Sequence, residues 1–370
     1  MTLSEKDIAA LIAESESDKI KDMQKTINRL HKQNDKLKNN QDELSEAIYS
    51  AVKDAIADVD IPKVKPPKLT FAKSKNEEVA VITLADWQMG KKTPTYNSKI
   101  CQERIEQYAK KVQEITAIHR KSHVIKKAHI WILGDIVEGV DIFPGQAWVI
   151  DSGLYRQIMK NGLETLTNFI REMLATFDEV KVTSVIGNHG RIGRYGTFHP
   201  EDNADRILYE TTKLMFRDEK RLEWINPEEF EGDRGWYAVD KIGKYSCLLI
   251  HGDQFRGQLG IPWYGVKKKV VAWKALGSQP DMPFPDFKDV SFGHWHQQLT
   301  WTDAGITMRC SPSPESNNYY AAEMLGALGL PAQRMMFVNP KKGIVTADYE
   351  NIWLDWNWVL LSLRAKNKFS

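Results

Sequence analysis

The sequence predicts a mixed α/β body preceded by an α-helical coiled-coil arm. Three observations carry that reading. Residues 1–60 contain no glycine and no proline and bear a heptad stripe. From Glu77 onward, short β-rich runs alternate with helical stretches, the pattern of βαβ units around a parallel sheet. Each main β-rich run also ends in a cluster of polar, metal-competent residues.

In the arm, the a positions read Ile20, Ile27, Asn34, Gln41 and Ile48, and the d positions Met23, Leu30, Leu37, Leu44 and Ala51. Alternating steps of three and four residues place these side chains on one narrow stripe, which a lone helix would leave wet. Isoleucine at a with leucine at d favours two parallel strands, and a buried Asn34 fixes register. A homo-oligomer, a dimer first, is therefore expected through residues 1–60. Residues 61–76 hold three prolines, five lysines and no acid, the composition of an extended basic linker.

The body, 77–350, opens on a strand at 78–85, a helix near 98–121, a strand at 128–133, a helix at 153–176 and a strand at 180–186. Strands follow at 244–250 and 288–292. Hairpin-like pairs are 235–241 with 244–250, 298–302 with 305–310, and 333–339 with 343–349. The Trp-rich tail, 351–370, reads as an element that closes the body, because Asp355 and Asn357 suit deep lipid burial poorly.

Composition removes whole classes of function. Hydrophobic residues at 42% and charged residues at 27% exclude a wholly disordered chain, and a net charge of +2 supplies no large field of one sign. No run reaches the ~20 apolar residues of a membrane span. Glu5, Lys6, Asp7, Glu14, Glu16, Asp18 and Lys19 are foreign to a signal peptide. Cys101, Cys247 and Cys310 are odd in number, far apart and without CxxC spacing, so a reducing compartment is expected: the cytoplasm, or the host cytoplasm if the chain is virus-encoded.

The chemistry gathers at strand ends. The first strand leads to Asp86-Trp87-Gln88, the second to Gly134-Asp135 and Glu138, and the third to Gly187-Asn188-His189. The later two lead to His251-Gly252-Asp253 and Gly293-His294-Trp295-His296. Open α/β sheets bind ligands at the carboxyl ends of their strands. Carboxylate and imidazole without thiolate suit Mn²⁺, Zn²⁺ or Fe²⁺.

These blocks, in this order, resemble the calcineurin-like metallophosphoesterase superfamily, whose pattern runs D-x-H, GD, GNH-[DE], H and GHxH. The resemblance spans about 80 to 310. It implies a sandwich of two mixed β-sheets flanked by helices, and two divalent metal ions, Mn²⁺ first, with Zn²⁺, Fe²⁺ or Mg²⁺ as alternatives. Carried over position by position, Asp86, Gln88 and His296 would hold one metal, Asn188, His251 and His294 the other, and Asp135 both. His189 matches the catalytic histidine, and phosphodiester bonds would be hydrolysed by a metal-bound hydroxide.

Two positions depart from the pattern. Gln88 stands where histidine is usual, and Gly190 where a carboxylate commonly orients the catalytic histidine, leaving Glu138 or Asp253 to do so. The text GDIVEG and IGNHG lacks the arginines of phosphoprotein phosphatases. Arg191 and Arg194 follow His189, and Arg256, Lys267 and Lys268 interleave with Phe255, Trp263, Tyr264 and Trp273 after His251. Basic groups among aromatics are the composition of single-strand binders, and SbcD-type nucleases share this core, so DNA is the expected substrate. A small-nucleotide or cyclic-nucleotide phosphohydrolase is the first alternative. A coiled-coil assembly factor with a vestigial phosphoesterase core is the second. The helical reading of the same segment places Val266, Val270, Val271 and Trp273 inward, and His199 is expected to start a helix.

Overall fold

The computed structural model describes residues 63–70, 76–193, 199, 202–226, 236–255, 262–277, 286–316 and 329–354, with isolated positions between 21 and 50. The chain divides into two units, Met1–Ala51 and Val52–Ser370. In the first, the described positions, among them Lys21, Lys25, Arg29 and Lys32, are helical and exposed. The a and d positions of the expected heptad lie outside the described residues, as does any pairing through them.

The second unit is α/β and built on two mixed sheets. Strand β1 (Val79–Leu84) leads through helix α1 (Ser98–His119) to β2 (Lys127–Ile132). Helix α2 then runs as Leu154–Arg156, a π-helical stretch Gln157–Gly162, and Leu163–Thr176, and hands over to β3 (Glu179–Ser184). Helix α3 (Ala204–Met215) and β4 (Leu222–Ile225) complete this half, and all three strand pairings β1–β2, β2–β3 and β3–β4 are parallel. The run VAVITL of β1 is buried at every position, as expected of a parallel strand covered on both faces. From the far end of the chain, β10 (Ala332–Asn339) pairs antiparallel with β1, and β11 (Ile344–Trp353) with β10. The order is β11-β10-β1-β2-β3-β4.

The second sheet comprises β5 (Tyr237–Ile242), β6 (Tyr245–Ile250), β7 (Asp289–Phe292), β8 (Leu299–Asp303) and β9 (Ile306–Cys310), in the order β5-β6-β7-β9-β8. Helix α4 (Trp263–Gly277) connects β6 to β7. The period of two along β6 sends Tyr245, Cys247 and Leu249 against Val79, Val81, Trp131, Leu133 and Val338 of the first sheet. Leu248 and Ile250 point the other way, onto Val266 and Val270 of α4. A buried polar clasp joins the sheets beside this apolar layer. Asp240 of β5 accepts from His129 Nδ1 at 2.6 Å and Trp131 Nε1 at 2.8 Å, and pairs with Lys181 at 3.1 Å. Burial pushes its carboxyl up, but His129 and Lys181 outweigh burial and hold it below the usual range.

Two expectations need correction. The third helix is capped by Asn203, whose side chain accepts from Asp205 N–H; His199 lies in the turn before it, its carbonyl accepting from Asp202 N–H at 2.9 Å. In α4, Val266 and Val270 are buried but Val271 is 43% exposed, because only one narrow face of this helix meets the sheet. Strand β11 runs on through Trp353, so the sheet takes up the start of the Trp-rich tail; residues 355–370 lie outside the described residues.

Candidate metal centre

The ends of β1, β2 and β3 in one sheet and of β6 and β7 in the other open toward the same space. The loops there share an unusual backbone. Among the described residues, six that are not glycine have positive φ: Asp86, Gln88, Asp135, His294, His296 and Ala304. Ala304 turns the β8–β9 hairpin, whereas the other five are all predicted metal ligands. The left-handed region costs an L-residue roughly 1–2 kcal/mol, a cost that persists only where surrounding structure over-determines the conformation.

That structure can be named. Asp205, at the start of α3, is fully buried, and its two carboxylate oxygens accept four backbone N–H groups. They come from Asp135 at 2.9 Å and from Ile136, Val137 and Gly187 at 3.0 Å. One side chain thus clamps the loop after β2 to the loop after β3. Asp86 does the same across the sheets, accepting His294 N–H at 2.9 and 3.0 Å. Gly187 must lack a side chain, since a Cβ there would run into the Asp135 carboxylate.

The donor atoms fall into two sets that share Asp135. In one, His251 Nε2 lies 3.0 Å from Asp135 Oδ2, 3.0 Å from Asn188 Oδ1 and 3.2 Å from His294 Nδ1. His251 Nδ1 faces the Leu133 carbonyl at 2.8 Å, so a neutral ring donates there and turns the Nε2 lone pair into the cluster. Asp135, His251 and His294 each bring one ligand atom within 4.8 Å of the others. In the second set, His296 Nε2 is 3.6 Å from Asp86 Oδ1 and 3.4 Å from Gln88 Nε2, which also reaches Asp135 Oδ2 at 3.3 Å. Gln88 is 1% exposed and its Oε1 has no hydrogen-bond partner. Rotating the amide by a half-turn exchanges the two atoms, so that buried oxygen can face the cluster.

The electrostatics ask for a cation. Burial opposes charge on His251, yet Asp135 and Asp86 raise its pKa to about 10. Burial lifts Asp86 to about 6, whereas Asp135 is held low by His251 and His189 despite its burial. His294 is pushed well below the usual imidazole value by burial and by His251. Proton and metal compete for such donors. Lone pairs of carboxylate, amide and imidazole converging at these distances fit divalent ions of the Mn²⁺, Zn²⁺ and Fe²⁺ class.

His189 lies beside both sets. Its N–H donates to Asp135 Oδ1 at 2.7 Å. Its Nδ1 is 3.0 Å from the Glu138 carbonyl, which orients the ring, and 3.4 Å from Glu138 Oε2, which places that carboxylate's charge beside it. Against burial, Glu138 and Asp135 raise the imidazole to about 9. The absence of a carboxylate at position 190 has a steric reason, because a Cβ on Gly190 would strike the Asn203 amide. Lys91 bridges Glu138 at 3.8 Å and Glu315 at 3.4 Å, and Glu315 in turn holds His296 Nδ1 at 3.0 Å. Sequence reading missed Lys91, Asp205 and Glu315.

The expected substrate contacts are dispersed. Arg191 bridges Asn203 through its backbone, and its charge partly offsets the burial that raises the carboxyl of Asp253. Lys267 pairs with Asp303 at 2.7 Å, and Lys268 is exposed on α4. Arg194 and Arg256 lie outside the described residues. An exposed aromatic borders the centre instead: Phe143 meets the His189 ring edge-on at 6.3 Å, and Trp148 in the same loop is 88% exposed. Gln146 ties that loop to Glu138, donating to its carbonyl at 2.7 Å and its carboxylate at 3.1 Å.

No family model and no curated protein matches the sequence. Solved structures do. A predicted phosphoesterase from Streptococcus pneumoniae is 13% identical, with 70% of this chain and 83% of that one aligned at a TM-score of 0.30. An archaeal phosphodiesterase is 8% identical over 72% and 96% of the two chains, TM-score 0.32. Vacuolar protein sorting 29 from Cryptosporidium parvum is 14% identical over 71% and 86%, TM-score 0.33. Likeness at this level supports no inference about activity, and the functional reading comes from the side chains.

Proposed function

We propose that this chain is a two-metal-dependent phosphodiesterase acting on DNA. The observation that carries the reading is the pair of donor sets meeting at Asp135, held by left-handed loops from both sheets. Asp86, Gln88 and His296 would hold one ion, Asn188, His251 and His294 the other, with Asp135 between them. Two such ions, Mn²⁺ first, would supply Lewis acidity toward a phosphoryl oxygen and a water acidic enough to attack phosphorus near neutral pH.

The remaining work falls to protein groups. A proton on His189, favoured by the Glu138 carboxylate, would stand ready for the leaving oxygen, while the Glu138 carbonyl holds the ring through Nδ1. Nucleobases are favoured as the flanking groups because Phe143 offers an apolar face beside His189 and Trp148, in the same loop, is exposed. Stacking on such faces contributes ~1–3 kcal/mol per base and tolerates any sequence. Lys268 and Arg191 would meet backbone phosphates. Residues 1–60 would join two copies.

The test is a Mn²⁺-supplemented assay on single-stranded DNA, duplex DNA, dinucleotides and a phosphomonoester, with His189→Gln beside the wild type. Cleavage of DNA that falls in His189→Gln while metal content is retained supports the proposal. Turnover confined to dinucleotides or smaller nucleotides moves the substrate to that class. A metal-loaded protein inert toward all four refutes catalysis.

A further inference from the structure

A second cluster of metal-competent side chains lies at the other end of β1. Glu78 immediately precedes that strand and Asp86 follows it, so at ~3.3 Å per residue the two are some ~26 Å apart along the chain. Glu78, His119 and His123 each bring one ligand atom within 4.8 Å of the others. We propose that these three residues form a second metal site, for a zinc-class divalent cation, independent of the centre around Asp135.

The three side chains are positioned by different elements. Glu78 is pinned by its N–H to the Val124 carbonyl at 3.0 Å. His119 is the last residue of α1, and His123 N–H returns to the His119 carbonyl at 3.0 Å, placing the two imidazoles one turn apart with centroids at 6.0 Å. The His119 ring lies flat on Phe337, centroids 3.9 Å apart, and its Nε2 meets the Tyr349 hydroxyl at 2.9 Å. With Nε2–H donating to Tyr349, the Nδ1 lone pair of His119 faces Glu78. Imidazole fixed through its second nitrogen by an outer partner is the usual arrangement of a metal-bound histidine.

The separations fit a metal site. Glu78 Oε2 is 3.5 Å from His119 Nδ1, and Glu78 Oε1 is 3.5 Å from His123 Nε2. Both exceed the ~2.7–3.2 Å of an N–H···O bond. They match the ~3.3–3.5 Å between neighbouring donors of a tetrahedral ion whose ligand distances are ~2.0–2.2 Å. Glu78 is 2% exposed, and its Oε2 and His119 Nδ1 are buried with no hydrogen-bond partner. A buried carboxylate oxygen left without a partner is costly unless a cation neutralises it. Two imidazole nitrogens and one carboxylate select Zn²⁺ over Ca²⁺ or Mg²⁺, and the partly exposed side of His123 admits the ion and a water as fourth ligand. A bound ion would tie the start of β1 to the end of α1 and, through Tyr349, to β11.

The site is tested on the full chain loaded with Zn²⁺, by zinc-edge anomalous scattering from crystals and by metal content per chain. An anomalous peak between Glu78, His119 and His123 that persists in Asp135→Asn and vanishes in Glu78→Gln supports the proposal. His123→Ala, at the more exposed position, should lose one zinc per chain and part of the zinc-dependent rise in melting temperature. Tyr349→Phe keeps all three ligands, and losing the outer partner should weaken zinc binding ~10–100-fold. Crystals with metal at the Asp135 centre but none at Glu78 overturn it, as does unchanged zinc content in both Glu78→Gln and His123→Ala.

Discussion

Replacing Asp205 by asparagine isolates what holds the centre together without touching a proposed ligand. Each carboxylate oxygen of Asp205 accepts two backbone N–H groups, Oδ1 from Ile136 and Val137 and Oδ2 from Asp135 and Gly187. Asparagine keeps one acceptor of the same shape and turns a donor toward the other pair. Hydrogen bonds to a charged acceptor contribute ~1.5–3 kcal/mol each, so losing two costs ~3–6 kcal/mol. That is a large share of the ~5–15 kcal/mol by which folded domains are stable. It corresponds to a fall in melting temperature of ~5–10 °C for a chain of this size. Burial and the nearby Asp135 raise the Asp205 carboxyl to about 6, so the comparison belongs near pH 8, where the carboxylate is ionised. Thermal melts give the stability, and calorimetric Mn²⁺ titration shows whether Asp135 has moved. Both should fall together. If melting temperature and Mn²⁺ affinity are unchanged, Asp205 is not the clamp.

The remaining predictions concern the proposed chemistry and assembly. Glu138→Gln removes the carboxylate that most raises His189, so the alkaline limb of kcat should move to lower pH, by ~1–2 units for a charge at this range, with metal content unchanged. The sign follows from the raised value: interactions of protonated His189 are complete below its ordinary pKa and lost as pH climbs through about 9. Gln88→His should tighten the weaker metal site and shift its ranking from Mn²⁺ toward Zn²⁺, since imidazole is the better donor for Zn²⁺; identical titrations of both proteins would remove Gln88 from the ligand set. Deleting residues 1–60 should leave an active core of lower oligomeric mass by light scattering, and an unchanged oligomer would place the self-association elsewhere.

What the sequence revealed and what it hid divide along a physical line. Local patterns were legible. The β-rich runs found at 78–85, 128–133 and 180–186 are β1, β2 and β3 within a residue or two, because buried parallel strands read as apolar runs. The ends of those runs supplied Asp86, Asp135 and His189, since polar residues directly after such strands have little packing role. Asp205, Glu315 and Lys91 were hidden because their partners are remote in sequence. Asp205 stands among helix residues, and nothing in its neighbourhood signals that it faces two loops. Glu78, His119 and His123 were missed for the same reason. An i,i+4 histidine pair is common on helices, and only the pairing of β1 beside α1 brings the carboxylate to it.

The backbone of the centre carries this argument one step further. Asp86, Asp135, His294 and His296 are of types enriched at left-handed φ, but Gln88 adopts it without that advantage. Five such residues store roughly 5–10 kcal/mol of conformational cost at one spot. A chain selected for stability alone would place glycine or asparagine there. Side chains kept in this conformation are kept for where they point, and here all five point into one polar space between two sheets. The clamps by Asp205 and Asp86, each accepting backbone N–H groups from a neighbouring loop, offset that cost locally. They also make the geometry rigid before any ligand arrives. Preorganised donors bind a cation without first spending energy on rearrangement, so the strain in these loops and the affinity proposed for the centre would have a common origin.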